Sequence, residues 1–341
     1  MDFEWRWVNA VVPKMTHKLL RRYSMLLTIR QMQPVGRRSL AEKMDLTERT
    51  VRTDLDSLLD TGLVSMQTNG VWLTDEGQEA VLNLQPVVAD LTGLQKKETQ
   101  LKARLGLTNC LIVPGDSDVK QDVKRAMGKA ANDLLQQHLP VGDSIVAVMG
   151  GTTMAAVAET LSSTLAEDRQ LTFVPARGGM GESPDIQANT ICARMAEATK
   201  GHFQALYLPE LSSESTSTSL RHEPAIAKTL ELIDHANVAI HCVGDAMAMA
   251  RRRQMSDEVM ATLVKRHAVG EAFGDFFDQD GQIVYRVPKL GLSISDLDRM
   301  DLVVAVAGGR SKAAAVEAYF KIPPAKTFLI TDEGLADMIL K

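Results

Sequence analysis

The sequence predicts an α/β protein built from an N-terminal winged helix-turn-helix and a larger Rossmann-like α/β domain. Three observations lead to this fold class. A basic segment near the N-terminus has helix-turn-helix spacing, short aliphatic runs alternate with helical patterns over most of the remaining chain, and glycine-rich turns follow several of these runs. A length of 341 residues agrees with two or three domains.

Charge is distributed unevenly along the chain. The whole sequence has 38 Lys and Arg against 43 Asp and Glu, a net charge of −5. Between Lys14 and Thr53, however, ten basic residues stand against three acidic ones, so this segment carries +7 and the rest of the chain −12. A basic segment of this kind is typical of a nucleic-acid-binding surface.

Composition excludes several classes of protein. Hydrophobic residues make up 45% and charged residues 24%, as in globular proteins and unlike collagen or disordered chains. No run approaches the roughly 18–20 apolar residues of a membrane span. Asp2 and Glu4 replace the basic start of a signal peptide, so we expect a cytoplasmic protein with no membrane partner. Cys110, Cys192 and Cys242 lack metal-ligand spacing, which predicts reduced thiols and no metal site.

The basic segment has the pattern of a helix-turn-helix. An amphipathic helix over Lys18–Gln33 ends at a Pro-Val-Gly turn. A short helix over Ser39–Met44, a tight turn and a second helix follow. Thr47 is suited to cap the second helix, because its hydroxyl can accept a hydrogen bond from a free backbone amide. Gly62 suits the left-handed position just after that helix.

The exposed face of the second helix carries hydrogen-bond donors suited to base edges. The first two turns of such a helix enter the major groove of DNA. Two short strands around an Asn69-Gly70 turn then predict a hairpin wing. An ordinary small helical domain with a solvated basic face is the less favoured alternative. The predicted DNA-binding residues are Arg37, Arg38, Thr47, Arg49, Thr50, Arg52, Thr53 and Asn69.

Apolar residues at heptad-like spacing follow the wing, with Glu98 in one seam position. Since Pro86 limits a helix on its N-terminal side, we predict a paired stretch over Val87–Leu105 and a homodimer or tetramer. One helix packed on its own domain is an equally favoured alternative. The predicted domains are 1–86 for the winged helix-turn-helix, 87–106 for the linker or dimerisation helix, and 107–341 for ligand binding and oligomerisation.

From about Asn109 onward, continuous aliphatic runs alternate with helical patterns, which predicts a parallel sheet covered on both faces. Ligands of such sheets bind beyond the carboxyl ends of the strands. The predicted strands are Cys110–Val113, Ser144–Met149, Leu171–Pro175, Phe203–Tyr207, Val238–Val243, Leu302–Ala307 and Thr327–Thr331.

Three of these strands end in glycine-rich turns that also carry cations or hydroxyls. The turns are GGTT from Gly150, ARGG from Ala176 and GGRSK from Gly308. Glycine lets the backbone approach an anion, and cations, hydroxyls and helix N-termini stabilise it. We therefore predict a phosphorylated small molecule as the ligand, with a packing role of the glycines as the alternative. No turn matches GxGxxG or GxxxxGK[ST], so a dinucleotide or nucleoside triphosphate is not indicated.

Several other side chains permit two interpretations. Arg252 either ends a solvated helix or reaches a second phosphate. Glu271 lies between glycines and is suited to accept hydrogen bonds from sugar hydroxyls, and Gln187 follows the ARGG turn on a loop. His241 lies inside an aliphatic strand and is interpreted as a core histidine.

Together these residues resemble the SorC/DeoR-like sugar-sensing repressors, and within them the regulators of central glycolytic genes. The likeness covers nearly the whole chain. It is carried by GRRSLAEKMDLTERTVR from Gly36, GDSD from Gly115, GGTTMAAVAE from Gly150, FVPARGGMGE from Phe173, QANTICARMAE from Gln187, EAFGDFF from Glu271, AVAGGRSKAAAVEAYFK from Ala305 and TDEG from Thr331.

The resemblance implies a C-terminal sugar-binding domain similar to sugar-phosphate isomerases and glucosamine-phosphate deaminases but without their activity. It implies double-stranded operator DNA as partner, fructose 1,6-bisphosphate or a related sugar phosphate as effector, and no cofactor. Arg310 departs from the small residue that the family more often has there. The expected effector-binding residues are Gly150, Gly151, Thr152, Thr153, Arg177, Gly178, Gly179, Gln187, Arg252, Glu271, Gly309 and Lys312.

Two other functions stay open on the sequence alone. A sugar-phosphate isomerase or deaminase fused to a helix-turn-helix needs a general base, for which Glu271, Asp185 and Asp245 are candidates. None has an evident histidine partner, so we expect no catalytic residue. A constitutive DNA-binding protein whose second domain only oligomerises would make the glycine-rich turns coincidental.

Overall fold

The computed structural model describes residues 8, 11–44, 46–178, 183–208, 214–322 and 326–341. They form two compact units divided after Lys96. The N-terminal unit has the helix-turn-helix, hairpin and closing helix of a winged helix, as predicted. Its elements are α1 (Pro13–Met32), α2 (Arg37–Met44), α3 (Glu48–Asp60), β1 (Val64–Gln67), β2 (Gly70–Leu73) and α4 (Asp75–Leu91).

Helix α3 begins and ends as the sequence predicts. The Thr47 hydroxyl accepts a hydrogen bond from the amide of Thr50 at 3.2 Å, and Gly62 has a φ of 73° just after the helix. Val51 and Leu55 are fully buried in a core that also takes Val81 from α4. One face of α3 therefore belongs to the core, and the opposite face stays available to a partner.

The wing turns one residue earlier than predicted. Thr68 and Asn69 are the central residues of the β1–β2 hairpin, so the expectation of an Asn69-Gly70 turn was wrong. Gly70 is the first residue of β2, with a φ of 139°. A Cβ at Gly70 would lie 3.0 Å from the backbone nitrogen and oxygen of Val35. The glycine therefore serves this close backbone approach rather than the turn.

A buried carboxylate ties α3 to α1. Asp54 has no exposed surface, and its carboxylate accepts hydrogen bonds from Nε of Arg21 at 2.6 Å and from Nε of Arg22 at 3.0 Å. Burial by itself would raise the pKa of Asp54, but the hydrogen bonds and charges of the two arginines together hold it below its ordinary value. Two cations of the basic segment thus stabilise the fold.

Replacing Asp54 with alanine is expected to destabilise the N-terminal unit by about 2 kcal/mol. This is less than the ~3–5 kcal/mol for a fully buried ion pair, because water can solvate the partly exposed Arg21 and Arg22. Since the pKa of Asp54 is lowered on folding, its stabilisation is complete above the unfolded-state pKa and is lost as pH falls through the folded-state pKa.

Urea unfolding followed by tryptophan fluorescence measures this effect, because all three tryptophans precede Gly77 in the chain. Asp56→Ala is the matched control on the same helix, where the Asp56 side chain is 53% exposed and its loss should cost under ~0.5 kcal/mol. Equal unfolding midpoints for the two variants would contradict the role given to Asp54.

The segment after the wing forms two helices rather than one. Helix α4 continues through Pro86, so the expectation that this proline limits the helix was wrong. A proline removes a single intrahelical hydrogen bond, and a helix that packs through its apolar side chains tolerates that loss. Helix α5 (Leu94–Leu105) begins after Gly93, whose φ is 71°. The predicted seam over Val87–Leu105 is therefore interrupted, and pairing between chains stays a prediction.

Part of α5 packs on the C-terminal unit of its own chain. Leu101 is fully buried, and the Glu98 carboxylate accepts a hydrogen bond from the Ile112 amide at 2.8 Å. Lys97 forms ion pairs with Glu333 at 2.6 Å and with Asp337 at 2.7 Å. The alternative of one helix packed on its own domain therefore describes α5 from Lys97 onward.

The C-terminal unit is built on a seven-stranded parallel sheet with the strand order β3-β13-β12-β7-β4-β5-β6. Its strands are the seven predicted ones, although β6 is shorter than expected and one residue earlier. Their bounds are β3 (Asn109–Val113), β4 (Gly142–Val148), β5 (Arg169–Pro175), β6 (His202–Phe203), β7 (Val238–His241), β12 (Leu302–Val306) and β13 (Thr327–Asp332).

Helices and a second sheet surround these strands. A four-stranded antiparallel sheet has the order β11-β10-β9-β8, with β8 at Gly244–Asp245, β9 at Ala268–Ala272, β10 at Asp275–Asp278 and β11 at Ile283–Arg286. The helices are α6 (Asp122–His138), α7 (Thr152–Ala158), α8 (Ala188–Thr199), α9 (Glu214–Arg221), α10 (Pro224–Asp234), α11 (Ala246–Arg252), α12 (Asp257–Lys265), α13 (Ala313–Tyr319) and α14 (Glu333–Ile339).

The strand order places the glycine-rich turns at one edge of the sheet. Every residue of β12 is buried, as expected for a central strand of a parallel sheet covered on both faces. Strands β12, β7, β4 and β5 are neighbours, so the turns that follow their carboxyl ends are neighbours too. In the described part of the chain, no helix combines the length and the apolar character needed to cross a membrane.

Candidate functional site

Most of the predicted DNA-binding side chains are exposed on the winged helix. Arg49, Arg52 and Thr53 are exposed on α3, opposite its buried residues. Arg37 and Arg38 are exposed at the start of α2. Arg38 and Arg52 form exposed ion pairs with the acidic residues four positions later, at 3.2 Å and 3.8 Å. Such exposed pairs are weak. These cations can therefore exchange their present partners for DNA phosphates or base edges.

The other predicted contacts also have local structural partners. The hydroxyls of Thr47 and Thr50 lie 2.9 Å apart at the start of α3. Asn69 is exposed at the tip of the wing and accepts a hydrogen bond from the Trp72 indole at 3.1 Å. The positions of these side chains are thus fixed within the unit before any DNA is bound.

The GGTT turn after β4 lies against the loop that carries Gln187. The amide of Gly151 donates to the carbonyl of Ile186 at 2.8 Å, and a Cβ at Gly150 would lie 2.8 Å from the same oxygen. Both glycines therefore permit this close approach, which places Gln187 beside the turn. The Thr152 side chain is exposed and that of Thr153 is 3% exposed.

Two lysines approach the GGTT turn from different elements. Lys124 of α6 places its Nζ 3.4 Å from the Thr152 hydroxyl. The ammonium of Lys312, which is half-buried just before α13, makes no hydrogen bond or ion pair with the residues that the structure describes. Burial lowers the pKa of Lys312. The positive charge of Lys124 also lowers it, whereas nearby acidic groups raise it. Sequence reasoning identified Lys312 and missed Lys124.

The backbone of the GGRSK turn is held by carboxylates. Asp332 Oδ2 accepts hydrogen bonds from the amides of Gly309 at 2.7 Å and Ser117 at 2.8 Å, and Asp118 accepts one from the Ser311 amide at 2.8 Å. The GDSD and TDEG stretches supply these two acids. The Gly309 amide is therefore occupied in this arrangement, and its contact with a ligand stays a prediction.

Arg310 lies on the outer side of the same turn. Its Nε lies 3.0 Å from the carboxylate of Asp116, and the arginine side chain is 59% exposed. An open depression of about 540 Å³ adjoins this pair. Its lining residues are Gly115, Asp116, Asp118, Val119, Lys120 and Arg310. Arg310, which departs from the small residue more frequent in the family, thus forms an ion pair between two strand-end turns.

The ARGG turn after β5 supplies the first of several buried charged side chains. Arg177 is 6% exposed, and a Cβ at Gly274 would lie 2.5 Å from its Nη1. The amide of Gly178 donates to the Leu290 carbonyl at 3.1 Å. Gly179 lies outside the described residues. The buried guanidinium is thus the cationic group of this turn, and its contact with an anion stays a prediction.

Glu271 is buried in an ion pair that the sequence did not indicate. Its carboxylate accepts hydrogen bonds from Nη2 of Arg253 at 2.9 Å and from the Gly274 amide at 2.5 Å. Burial would raise the pKa of Glu271, but the charges of Arg253 and Arg177 and the amide hydrogen bond lower it below its ordinary value. Glu271 therefore holds a negative charge between two buried cations.

The arginine beside this carboxylate is Arg253, while Arg252 is exposed at the end of α11. The side chain of Arg253 is only 2% exposed, and its Nε and Nη1 have no hydrogen-bond partner among the described residues. Contact of Arg252 with a ligand stays a prediction. The three-arginine run gave the sequence no means of distinguishing the buried member from its neighbours.

The carboxylates considered as general bases all have structural partners. Asp185 pairs with Arg194 at 3.2 Å, and Asp245 caps α11 by accepting a hydrogen bond from the Ala248 amide at 2.8 Å. Glu271 is held in its ion pair, and its lowered pKa makes it a weak base at neutral pH. The described residues hold no group of three or more His, Cys, Asp or Glu suited to bind a metal ion.

His241 is confirmed as a core histidine. Its Nε2 lies 3.1 Å from the Tyr319 hydroxyl, and the ring has no exposed surface. Burial lowers the pKa of His241 to about 4, so the imidazole is neutral at physiological pH. It therefore belongs to the packing of the sheet rather than to the strand-end turns.

Two family models together match most of the chain. The model of the CggR N-terminal DNA binding domain matches residues 19–88. The model of a sugar-binding domain matches residues 89–341, which include all three glycine-rich turns.

Curated relatives and solved structures agree with these models. The chain is 41% identical to the central glycolytic genes regulator of Bacillus subtilis over 98% of this chain and 97% of the relative, and 40% identical to that of Priestia megaterium over the same shares. A SorC family transcriptional regulator from Enterococcus faecalis superposes with a TM-score of 0.69 at 47% identity, over 72% of this chain and 100% of that chain. The full-length sorbitol operon regulator of Klebsiella pneumoniae shares the fold at 18% identity, with a TM-score of 0.67 over 94% of this chain and 99% of its own.

Proposed function

Because the chain belongs to the family of central glycolytic genes regulators, we propose that fructose 1,6-bisphosphate is its effector and that this sugar phosphate relieves repression. The chain is a transcriptional regulator with a DNA-binding and a sugar-binding domain. The observation that carries the proposal is the placement of two separate cationic groups beyond the same edge of the sheet. Lys312 and Lys124 approach the GGTT turn, and Arg177 with Arg253 form a second, buried group.

A bisphosphate has a matching distribution of charge. One dianionic phosphate would bind at Thr152, Thr153 and Lys312, where hydroxyls, turn amides and an ammonium that forms no ion pair with the described residues are available. The other phosphate would bind at the second group, beside Arg177, and Arg252 at the exposed end of α11 would supply a further contact. Gln187 lies beside the GGTT turn and would contact the hydroxyls of the sugar between the two phosphates.

Effector binding must couple to DNA binding through a difference in affinity between two states of the protein. The operator would be contacted by the exposed residues of α3, and a homodimer or tetramer would present two such helices to repeated half-sites. The effector would favour an assembly in which the helices fit the operator less well. Repression then falls as the sugar phosphate rises.

We propose that the protein does not act as an enzyme. Each of the three candidate bases, Glu271, Asp185 and Asp245, is engaged in an ion pair or a helix cap. Purified protein is expected to show no turnover of hexose or triose phosphates. Isomerisation that is measurable and disappears in the Glu271→Gln variant would favour the enzyme.

Calorimetry and operator titration with the full chain test the effector. Fructose 1,6-bisphosphate is expected to give a saturable heat and to lower the affinity for operator DNA. A neutral sugar such as fructose should do neither, because the cationic groups then have no ligand. Absence of heat and an unchanged operator affinity would favour a constitutive DNA-binding protein.

Arg52→Ala is expected to weaken operator binding about 10-fold, the effect of losing one good base contact. The heat of fructose 1,6-bisphosphate binding should stay unchanged, since Arg52 belongs to the other unit. Arg125→Ala, which removes a 57% exposed arginine of the C-terminal unit, is the control for DNA binding. An Arg52→Ala variant with full operator affinity would refute the assignment of α3.

A further inference from the structure

Helix α6 is positioned by two close contacts with the glycine-rich edge of the sheet. A Cβ on Gly128 of α6 would lie 2.5 Å from the Thr160 hydroxyl and 2.9 Å from the Ala156 carbonyl oxygen. The glycine therefore lets α6 approach α7 more closely than any other residue would. On the other side, a Cβ on Gly308 would lie 2.8 Å from the Met127 side chain. Helix α6 thus packs between α7, the helix that follows the GGTT turn, and Gly308 of the GGRSK turn.

The same packing carries Lys124 to the GGTT turn. Residues four apart lie on one face of a helix, so Lys124 is one turn before Gly128 and Thr152 is one turn before Ala156. The Gly128–Ala156 contact thereby aligns Lys124 with Thr152, and their polar atoms lie 3.4 Å apart. Lys124 is half-buried, and its ammonium donates to this neutral hydroxyl.

We propose that Lys124 is a further phosphate-binding residue, and that Lys124 and Lys312 together select a dianionic phosphate monoester at the GGTT turn. This inference rests on the proposed function only for the identity of the sugar. The assignment of a phosphate to the turn does not depend on it. The charges of the two lysines repel each other in the free protein, and burial adds to the cost of the Lys312 charge. A ligand with two negative charges removes that repulsion, whereas a single carboxylate neutralises only half of it.

Calorimetry on the full-length Lys124→Ala variant tests this assignment. Fructose 1,6-bisphosphate should bind about 10-fold more weakly than to the unaltered protein, the loss expected for one charge-assisted contact. Inorganic phosphate, used as a competitor, should lose affinity by a similar factor. Lys120→Ala is the matched control, because Lys120 is exposed in the loop before the same helix and should leave both affinities within about 2-fold.

A second measurement separates direct contact from a change in packing. The Lys124→Met variant keeps an unbranched side chain of similar length but lacks the charge, so it should keep the melting temperature and still lose the phosphate affinity. The pKa of Lys312 should rise in both Lys124 variants, because a repelling charge beside it is gone while Asp118 and Asp332 stay in place and Cys242 still adjoins the lysine.

The outcomes distinguish this inference from the proposed function. Unchanged affinity of Lys124→Ala for fructose 1,6-bisphosphate, with normal binding by the unaltered protein, overturns the role of Lys124 and leaves the effector intact. Binding of inorganic phosphate that depends on Lys124, without any binding of fructose 1,6-bisphosphate, supports Lys124 and overturns the proposed effector. A protein that binds neither compound refutes both.

Discussion

Lys312→Ala is expected to yield a repressor that binds its operator normally and no longer responds to fructose 1,6-bisphosphate. Lys312 is half-buried, it feels the charge of the Lys124 ammonium that contacts Thr152, and it makes no ion pair within the described residues, so its charge is available to a ligand. A charge-assisted contact made in such a partly desolvated position contributes up to about 3 kcal/mol, which corresponds to an effector affinity about 100-fold lower in the variant.

Fluorescence anisotropy of labelled operator DNA, titrated with fructose 1,6-bisphosphate, measures this loss. A concentration that releases the unaltered protein should leave the Lys312→Ala complex intact. Lys326→Ala is the control, because Lys326 is an exposed lysine of the same unit. If Lys312→Ala releases DNA at the same effector concentration as the unaltered protein, the GGTT turn is not the phosphate site.

Local patterns in the sequence were sufficient for most of the fold. Helix α3 follows from Thr47, its buried apolar stripe and Gly62, because capping and periodicity act within a few residues. The parallel sheet follows from aliphatic runs whose alternation with helices has few other physical solutions. The role of Gly70 was predicted wrongly, because the residue whose backbone requires a glycine there, Val35, lies 35 residues away in the sequence.

The site, like the fold, could be predicted only where the pattern lies within a few neighbouring residues of the sequence. Glycines and Lys312 follow strands directly, so the rule that ligands bind at strand ends finds them. Lys124 is missed because it reaches the turn from a preceding helix through the close packing of Gly128. Arg253 is missed because only the tertiary packing of α11 buries it beside Glu271 and leaves Arg252 exposed. Contacts between distant elements are not encoded in spacing.

The carboxylates around the GGRSK turn illustrate a further ambiguity of glycine-rich motifs. A glycine at a strand end permits the close approach of any oxygen, and a carboxylate of the protein serves as well as a phosphate. A Cβ at Gly309 would lie 2.3 Å from Asp118, and one at Gly334 would lie 2.6 Å from Asp116. These glycines thus join the GDSD, GGRSK and TDEG stretches to one another, which the sequence alone presents as three unrelated motifs.

Asp332→Ala is expected to have the largest effect on stability, a loss of about 4 kcal/mol in the C-terminal unit. The Asp332 carboxylate has no exposed surface and accepts three backbone hydrogen bonds, from Ser117, Gly309 and Leu335. Removing it leaves two strand-end amides without an acceptor at roughly 1–3 kcal/mol each. It also removes the N-cap of α14, which contributes about 1 kcal/mol.

Asparagine should restore only part of this stability. Asp332 Oδ1 caps α14, and Oδ2 accepts from both Ser117 and Gly309, so a single amide oxygen serves one side and the amide nitrogen faces donors on the other. Asp332→Asn should therefore lie between alanine and the unaltered protein. Asp298→Ala, at an exposed acid of the same unit, is the control and should cost under ~0.5 kcal/mol.

The two units can be followed separately in this experiment. Tryptophan fluorescence reports on the N-terminal unit, because the sequence has no tryptophan after Trp72, and far-ultraviolet circular dichroism reports on the whole chain. The Asp332 variants should shift the dichroism transition and leave the fluorescence transition in place. Because Asp332 also holds the Gly309 amide, three residues before Lys312, the alanine variant should lose its effector response before it loses its fold. A stable Asp332→Ala protein with normal induction would show that the carboxylate does not position this turn.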